Sequence, residues 1–194
     1  MRVGILGGTF DPVHYGHLII AESASEELQL ERVLFVLAPQ PPHKNAVQLT
    51  AVAHRLAMLR AAVAGNPRFE VSTVELERPG PSYTVETLRL LSRRPEYAGA
   101  QFHLIIGADS LSEFHKWREP EAIRSLAQLA VYPRPEKQSE SEAAALTQAD
   151  HQLSGNLIGI SSTAIRLKVK NNRSIRYLVP EVVRGYIRAH DLYK

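Results

Sequence analysis

Short, continuous apolar runs that alternate with helix-patterned stretches constrain this chain most. Residues 2–6 form such a run and stop at Gly7-Gly8. Residues 16–28 then place Leu18, Ile19, Ala21, Ala24 and Leu28 at helical spacing, with Glu22, Glu26 and Glu27 between them. The unit repeats, with strand patterns at 32–38, 69–74, 102–106, 126–132 and 156–160 and helix patterns at 50–64, 82–93, 119–125, 164–170 and 180–189. Ser82 stands as the cap of the 82–93 helix, and Pro180 opens the last one. The polar stretch 136–154 reads as a variable loop or an exposed helix. Strands that are apolar throughout must be covered on both faces, so the pattern predicts an α/β fold around a parallel sheet.

In such a sheet, ligands bind beyond the carboxyl ends of the strands. The chemically suggestive residues lie there: Gly7 to His17 after the first strand, Pro41-Pro42-His43-Lys44 after the second, Gly107-Ala108-Asp109-Ser110 after the fourth, and Ser161 to Arg166 after the last. No apolar run approaches the roughly 18 residues that a membrane helix needs. The N-terminal residues show no signal-peptide pattern, which leads us to expect a cytoplasmic protein. With 0 cysteines, thiolate metal sites and thiol nucleophiles are excluded. A net charge of +3 suits an anionic small molecule. The basic residues are dispersed without interleaved aromatics, so nucleic acid is not expected as a partner.

Two constellations carry chemistry. In Gly7-Gly8-Thr9-Phe10-Asp11-Pro12-Val13-His14-Tyr15-Gly16-His17, glycines after a buried strand admit a ligand to the backbone. The following helix aims free N–H groups at the same place, and His14 and His17 share a face there. The glycines taken alone are a plain turn, and each histidine taken alone is a surface residue. In Ile160-Ser161-Ser162-Thr163-Ala164-Ile165-Arg166, the hydroxyls suit either a helix cap or, with the guanidinium, a phosphate cradle. Asp109 likewise fits a cap or a ligand contact. Trp117 fits edge packing beside Phe114 or stacking on a cationic ring, and Lys44 a solvated cation or an anion contact. Arg55 and Arg60 read as a solvated helix face, and His103 as buried and hydrogen-bonded. His54, His151 and His190 lack metal-ligand spacing, so no protein-built metal site is expected.

Taken together, GGTFDPVHYGH and ISSTAIR resemble the nucleotidylyltransferase superfamily, and within it the bacterial-type nicotinate mononucleotide adenylyltransferases. Pro41 to Lys44, Pro81-Ser82-Tyr83-Thr84, Ile105 to Ser110, Trp117 and Tyr177-Leu178-Val179-Pro180 extend the resemblance, in the family's order, over nearly the whole chain. The resemblance implies a Rossmann-like doubly wound parallel sheet with a C-terminal helical segment over about 161–194, in a single nucleotidyltransferase domain spanning 1–194.

The resemblance also implies roles. His14, His17 and Arg166 act on the ATP phosphates. Gly8, Thr9, Phe10, Gly107, Asp109, Ser161, Ser162 and Thr163 bind ATP. Lys44, Tyr83, Thr84, Trp117 and Arg134 bind nicotinate mononucleotide, the role of Arg134 being the least defined. The implied reaction is attack by the mononucleotide phosphate on the α-phosphorus of ATP, with pyrophosphate leaving and Mg2+ brought in with ATP. Pantetheine phosphate and the amide mononucleotide are rival acceptors. The former family usually carries Thr where this chain has His14. A nucleic-acid module and a non-catalytic nucleotide sensor are rivals of other classes. The stripe of Val182, Val183, Tyr186 and Ile187 fits burial within the chain or against a neighbour, leaving monomer and homo-oligomer both open.

Overall fold

The computed structural model describes residues 1–40, 49–78, 80–133, 146–155 and 158–194. Along the chain run β1 (Arg2–Gly8), α1 (Tyr15–Glu27), β2 (Arg32–Leu37), α2 (Val52–Val63), β3 (Phe69–Ser72), α3 (Thr84–Ser92), β4 (Gln101–Gly107), α4 (Ala108–Ser112), α5 (Pro120–Leu126), β5 (Ala127–Tyr132), β6 (His151–Gln152), α6 (Ser162–Lys170) and α7 (Glu181–Ala189). The strands form one sheet in the order β3-β2-β1-β4-β5-β6, and each pairing is parallel. The order reverses between β1 and β4, which opens a crevice at their carboxyl ends.

The apolar runs have the two-sided burial that their composition demands. Val3, Ile5, Leu34, Val36, Leu104 and Ile106 enter a core shared with α3 and α5. The alternate residues Leu6, Val33, Phe35, Leu37 and Ile105 enter a second core on the opposite face, with α1, α2, α6 and α7. The terminal stripe is mostly satisfied within the chain, since Val183 and Ile187 are buried while Val182 stays exposed.

Three expectations are corrected. The sixth strand is His151–Gln152, paired with Ala130 and Val131, and not 156–160; residues 158–160 are unpaired, and 156–157 lie outside the described residues. Two residues on a sheet edge carry no periodicity to read, because the pairing is templated by the free main chain of β5. That strand also falls inside the polar stretch read as loop or helix, of which 134–145 lies outside the described residues. Ser82 does not cap α3: the chain is still extended at Tyr83 (φ −99°, ψ 131°), which is the N-cap residue. His103 is buried on β4, but among the described residues neither ring nitrogen has a hydrogen-bond partner. Its burial, helped by His151 and Arg2, pulls its pKa below the ordinary value.

Candidate active site

The β1–α1 connection reverses direction through Phe10, whose φ of 45° lies in the left-handed region. Its ring is buried against Phe35 and meets the His17 ring edge-on, with centroids 5.0 Å apart. His14 is the N-cap of α1. Its backbone N–H donates to Nδ1 of His17 at 3.2 Å, so in the neutral form of that ring the proton sits on Nε2. The two imidazoles stack with centroids 3.7 Å apart. His14 is 6% exposed, its Nδ1 has no hydrogen-bond partner among the described residues, and burial lowers its pKa to about 4.

The start of α6 docks onto the same loop. Ser162 donates to the Pro12 carbonyl at 2.9 Å, and Arg166 donates to the Asp11 carbonyl at 2.8 Å and to Thr163 Oγ1 at 3.2 Å. Ser161 caps the helix by accepting from the Ala164 N–H at 3.2 Å. Two helix N-termini, those of α1 and α6, thus converge beside His14, His17 and Arg166. Together with Gly8, Thr9, Phe10 and Ser161 to Thr163, these residues line a cavity of about 620 Å³. Its donors are N–H groups, hydroxyls, imidazoles and a guanidinium, a set suited to phosphate oxygens.

A second cavity of about 600 Å³ lies across the carboxyl end of β1, with Tyr83, Thr84, Trp117, Lys116, Arg118 and Glu75 among its lining residues. Trp117 packs on Phe114 with ring centroids 5.4 Å apart while also lining this cavity. The Arg118 guanidinium sits 4.8 Å from the Tyr83 ring centroid. Glu75 is buried and accepts from the Thr87 hydroxyl at 2.5 Å. Burial raises its pKa, opposed by the Thr87 and Ser82 hydroxyls and the Arg78 charge.

Gly8, Thr9 and Tyr132 line both cavities, so the two meet at these residues. Gly107 lines the second cavity. A Cβ at this position would stand 2.6 Å from Asp109 Oδ1 and 3.3 Å from the Tyr132 ring. Asp109 lies in the first turn of α4 and lines neither cavity. Lys44 and Arg134 lie outside the described residues. Among the described residues, no three His, Cys, Asp or Glu side chains gather as a metal site.

Arg55 is not on a solvated face: it is 1% exposed. Its guanidinium donates to the carbonyls of Thr9, Ala38 and Thr50 at 2.8 Å and of Pro39 at 3.0 Å. The sequence does contain the signal, because the buried residues Arg55, Met58, Leu59 and Val63 of α2 follow helical spacing. Asp11 was also unassigned from sequence. It is 1% exposed, and its carboxylate accepts from the Thr50 N–H at 3.1 Å and the Tyr193 hydroxyl at 2.7 Å.

Residues 5–168 match the family model described as cytidylyltransferase-like. The chain is 48% identical to a probable nicotinate-nucleotide adenylyltransferase of Thermomicrobium roseum, covering 100% of this chain and 92% of the relative. A protein of the same description from Thermus thermophilus is 43% identical, covering 100% of both chains. In fold the chain is similar to Plasmodium falciparum nicotinic acid mononucleotide adenylyltransferase complexed with NaAD, with a TM-score of 0.81 at 18% identity, covering 99% of this chain and 97% of that one. The chain belongs to the cytidylyltransferase-like family and, within it, to the nicotinate-nucleotide adenylyltransferases.

Proposed function

We propose that this protein transfers the adenylyl group of ATP to nicotinate mononucleotide, forming deamido-NAD and pyrophosphate. The observation that carries this reading is the pair of cavities that meet at Gly8, Thr9 and Tyr132. One has donors for a triphosphate, and the other has an aromatic and basic lining for a pyridine nucleotide. A phosphate oxygen of the mononucleotide forms the new bond to the α-phosphorus. The bond from that phosphorus to the bridging oxygen breaks, and pyrophosphate leaves with the electron pair. The attacking phosphate is already ionised near neutral pH, so no general base is needed. The protein contributes alignment and neutralisation of charge on the α-phosphate and the leaving group.

In this reading His17, through Nε2–H, and His14 meet the phosphates, and Arg166 with the N-terminus of α6 meets the leaving group. Gly8, Thr9 and Phe10 contribute through the backbone, and Gly107 and Asp109 serve the adenosine side. Tyr83 and Thr84 face the nicotinate carboxylate, Trp117 stacks on the pyridinium ring, and Lys44 and Arg134 serve the mononucleotide. Magnesium enters as part of the MgATP substrate, keeping most of its waters. The domain acts as one unit over 1–194, and the absence of cysteine from the sequence goes with a cytoplasmic setting.

The test mixes the protein with ATP, magnesium and either the acid or the amide mononucleotide and follows pyrophosphate and dinucleotide. Release with the acid is expected. Release with neither overturns the reading, and release only with the amide overturns the choice of acceptor.

A further inference from the structure

We propose that Arg55 is a positioning residue for the transfer step: by holding the Thr9 carbonyl, it turns the Phe10 N–H toward the α-phosphate of bound ATP. The inference rests on the adenylyl-transfer reading above. Arg55 lines neither cavity. It lies behind the loop at which they meet and is fully enclosed at 1% exposure. A buried guanidinium is costly unless its N–H groups are satisfied. Here they are satisfied by carbonyls of three chain segments, two of which, at Thr9 and Ala38, line the cavities.

In a trans peptide the carbonyl and the N–H of one plane point in opposite directions. With the Thr9 carbonyl drawn back to Arg55 at 2.8 Å, the N–H of the same plane, that of Phe10, faces forward. Thr9 and Phe10 line the first cavity on that side. Among the described residues, no acceptor meets this N–H. Phe10 also carries a φ of 45°, a conformation that a bulky residue keeps only when its surroundings hold it. The buried ring supplies one restraint, and the Arg55 bond to the preceding carbonyl supplies the other.

The same guanidinium holds the carbonyls of Ala38 and Pro39 at 2.8 and 3.0 Å, and Ala38 lines the second cavity. One cation therefore fixes the loop at Thr9 and the mononucleotide-side loop relative to each other. Misplacement by about 1 Å in such an arrangement costs on the order of a hundredfold in rate.

The test uses Arg55→Lys, which keeps a cation but loses the planar fork, and Arg55→Gln. Each is assayed for kcat, KM for both substrates, thermal unfolding, and the rate ratio of the two α-phosphorothioate diastereomers of ATP. Folded R55K is expected to lose roughly ten- to a hundredfold in kcat, with KM for ATP moving less than about threefold. Its diastereomer ratio is expected to fall severalfold toward unity, a readout that simple loss of folded protein leaves unmoved. Folded R55K with wild-type kcat and ratio overturns the proposal, as does a kcat loss with the ratio unchanged.

In 15N-labelled wild type, the Phe10 amide resonance is expected to shift on adding α,β-methylene ATP. An indifferent Phe10 amide overturns the proposal even if neither variant folds. Wild type that makes no dinucleotide overturns the transfer reading and this inference with it, whereas an active wild type with an unaltered R55K overturns this inference alone.

Discussion

The Tyr193 hydroxyl donates to Asp11 Oδ1 at 2.7 Å across 182 positions of sequence, fastening the chain's last turn to the loop that carries the two histidines. Asp11 in turn takes the Thr50 N–H at 3.1 Å and lends its main-chain carbonyl to Arg166 at 2.8 Å. The loop is thus held from the segment just before α2, from α6 and from the segment after α7.

Tyr193→Phe removes one charge-assisted hydrogen bond to a buried carboxylate, a loss of about 1.5–3 kcal/mol. For a chain of this size the melting temperature should fall by roughly 4–10 °C, with turnover reduced less than about tenfold at temperatures where the variant is folded. Thermal circular dichroism beside steady-state rates checks this. An unchanged melting temperature would show that the bond contributes nothing.

His17→Ala removes the proposed phosphate donor while leaving both sheet cores intact. The kcat is expected to fall by about two to three orders of magnitude with an unchanged far-UV spectrum. A rate within threefold of wild type would remove His17 from the chemistry.

His14 gives a pH signature whose sign follows from its burial. Its pKa is about 4 in the folded protein against 6.5 as the ordinary value, so the unfolded chain binds the extra proton between those values. Its contribution to stability is therefore complete above about pH 6.5, is lost as pH falls from there toward 4, and is of order 3 kcal/mol. His14→Ala should flatten the melting-temperature profile in that window. A bound triphosphate favours the charged ring, so ATP binding at pH 6 should take up protons in wild type and less in the variant. Calorimetry in buffers of different ionisation enthalpy reads this, and equal uptake in both proteins contradicts it.

Gly107→Ala places a methyl group 2.6 Å from Asp109 Oδ1, within α4's first turn, and one of the two must move. If Asp109 accepts from the nucleotide as proposed, KM for ATP rises about tenfold or more while the fold persists. Direct binding of ATP measured by calorimetry decides it, and unaltered affinity would argue that Asp109 lies outside the nucleotide's reach.

Trp117→Ala should raise KM for nicotinate mononucleotide by roughly three- to thirtyfold, with Trp117→Phe recovering much of it. Equal losses in both variants would favour packing on Phe114 over stacking on the ligand.

The sheet was legible because parallel strands must be apolar on both faces: Val3 to Leu6 and Val33 to Leu37 announce themselves by composition alone. The glycine loop was legible because it follows the first of those strands, whereas the hydroxyl loop was legible only from its own residue types, since the strand expected before it at 156–160 is not formed among the described residues. The structure brings His14, His17, Ser161 to Thr163 and Arg166 to one cavity, and Tyr83, Thr84 and Trp117 to another. Less legible was whatever depends on distant main chain. Arg55 sits among alanines and leucines like any exposed helix cation, and its partner Thr9 lies 46 positions away. Helical spacing places it on the Met58 and Leu59 face, but only the folded loops supply the carbonyls that make a buried cation tolerable. Asp11 and Tyr193 meet for the same reason, through tertiary docking that no local pattern encodes. His151 and Gln152 become a strand only because β5 offers them an edge.

The wall that the two cavities share at Gly8, Thr9 and Tyr132 bears on how the protein meets inhibitors. A compound bridging both chambers would press in part on the main chain at Gly8, which substitution reshapes only at a cost. A side chain added at Gly8 would come within 3.1 Å of the buried Phe10 ring and disturb the protein's own loop first. Escape from such a compound would have to arise at the outer walls, where it would also weaken the grip on one natural substrate.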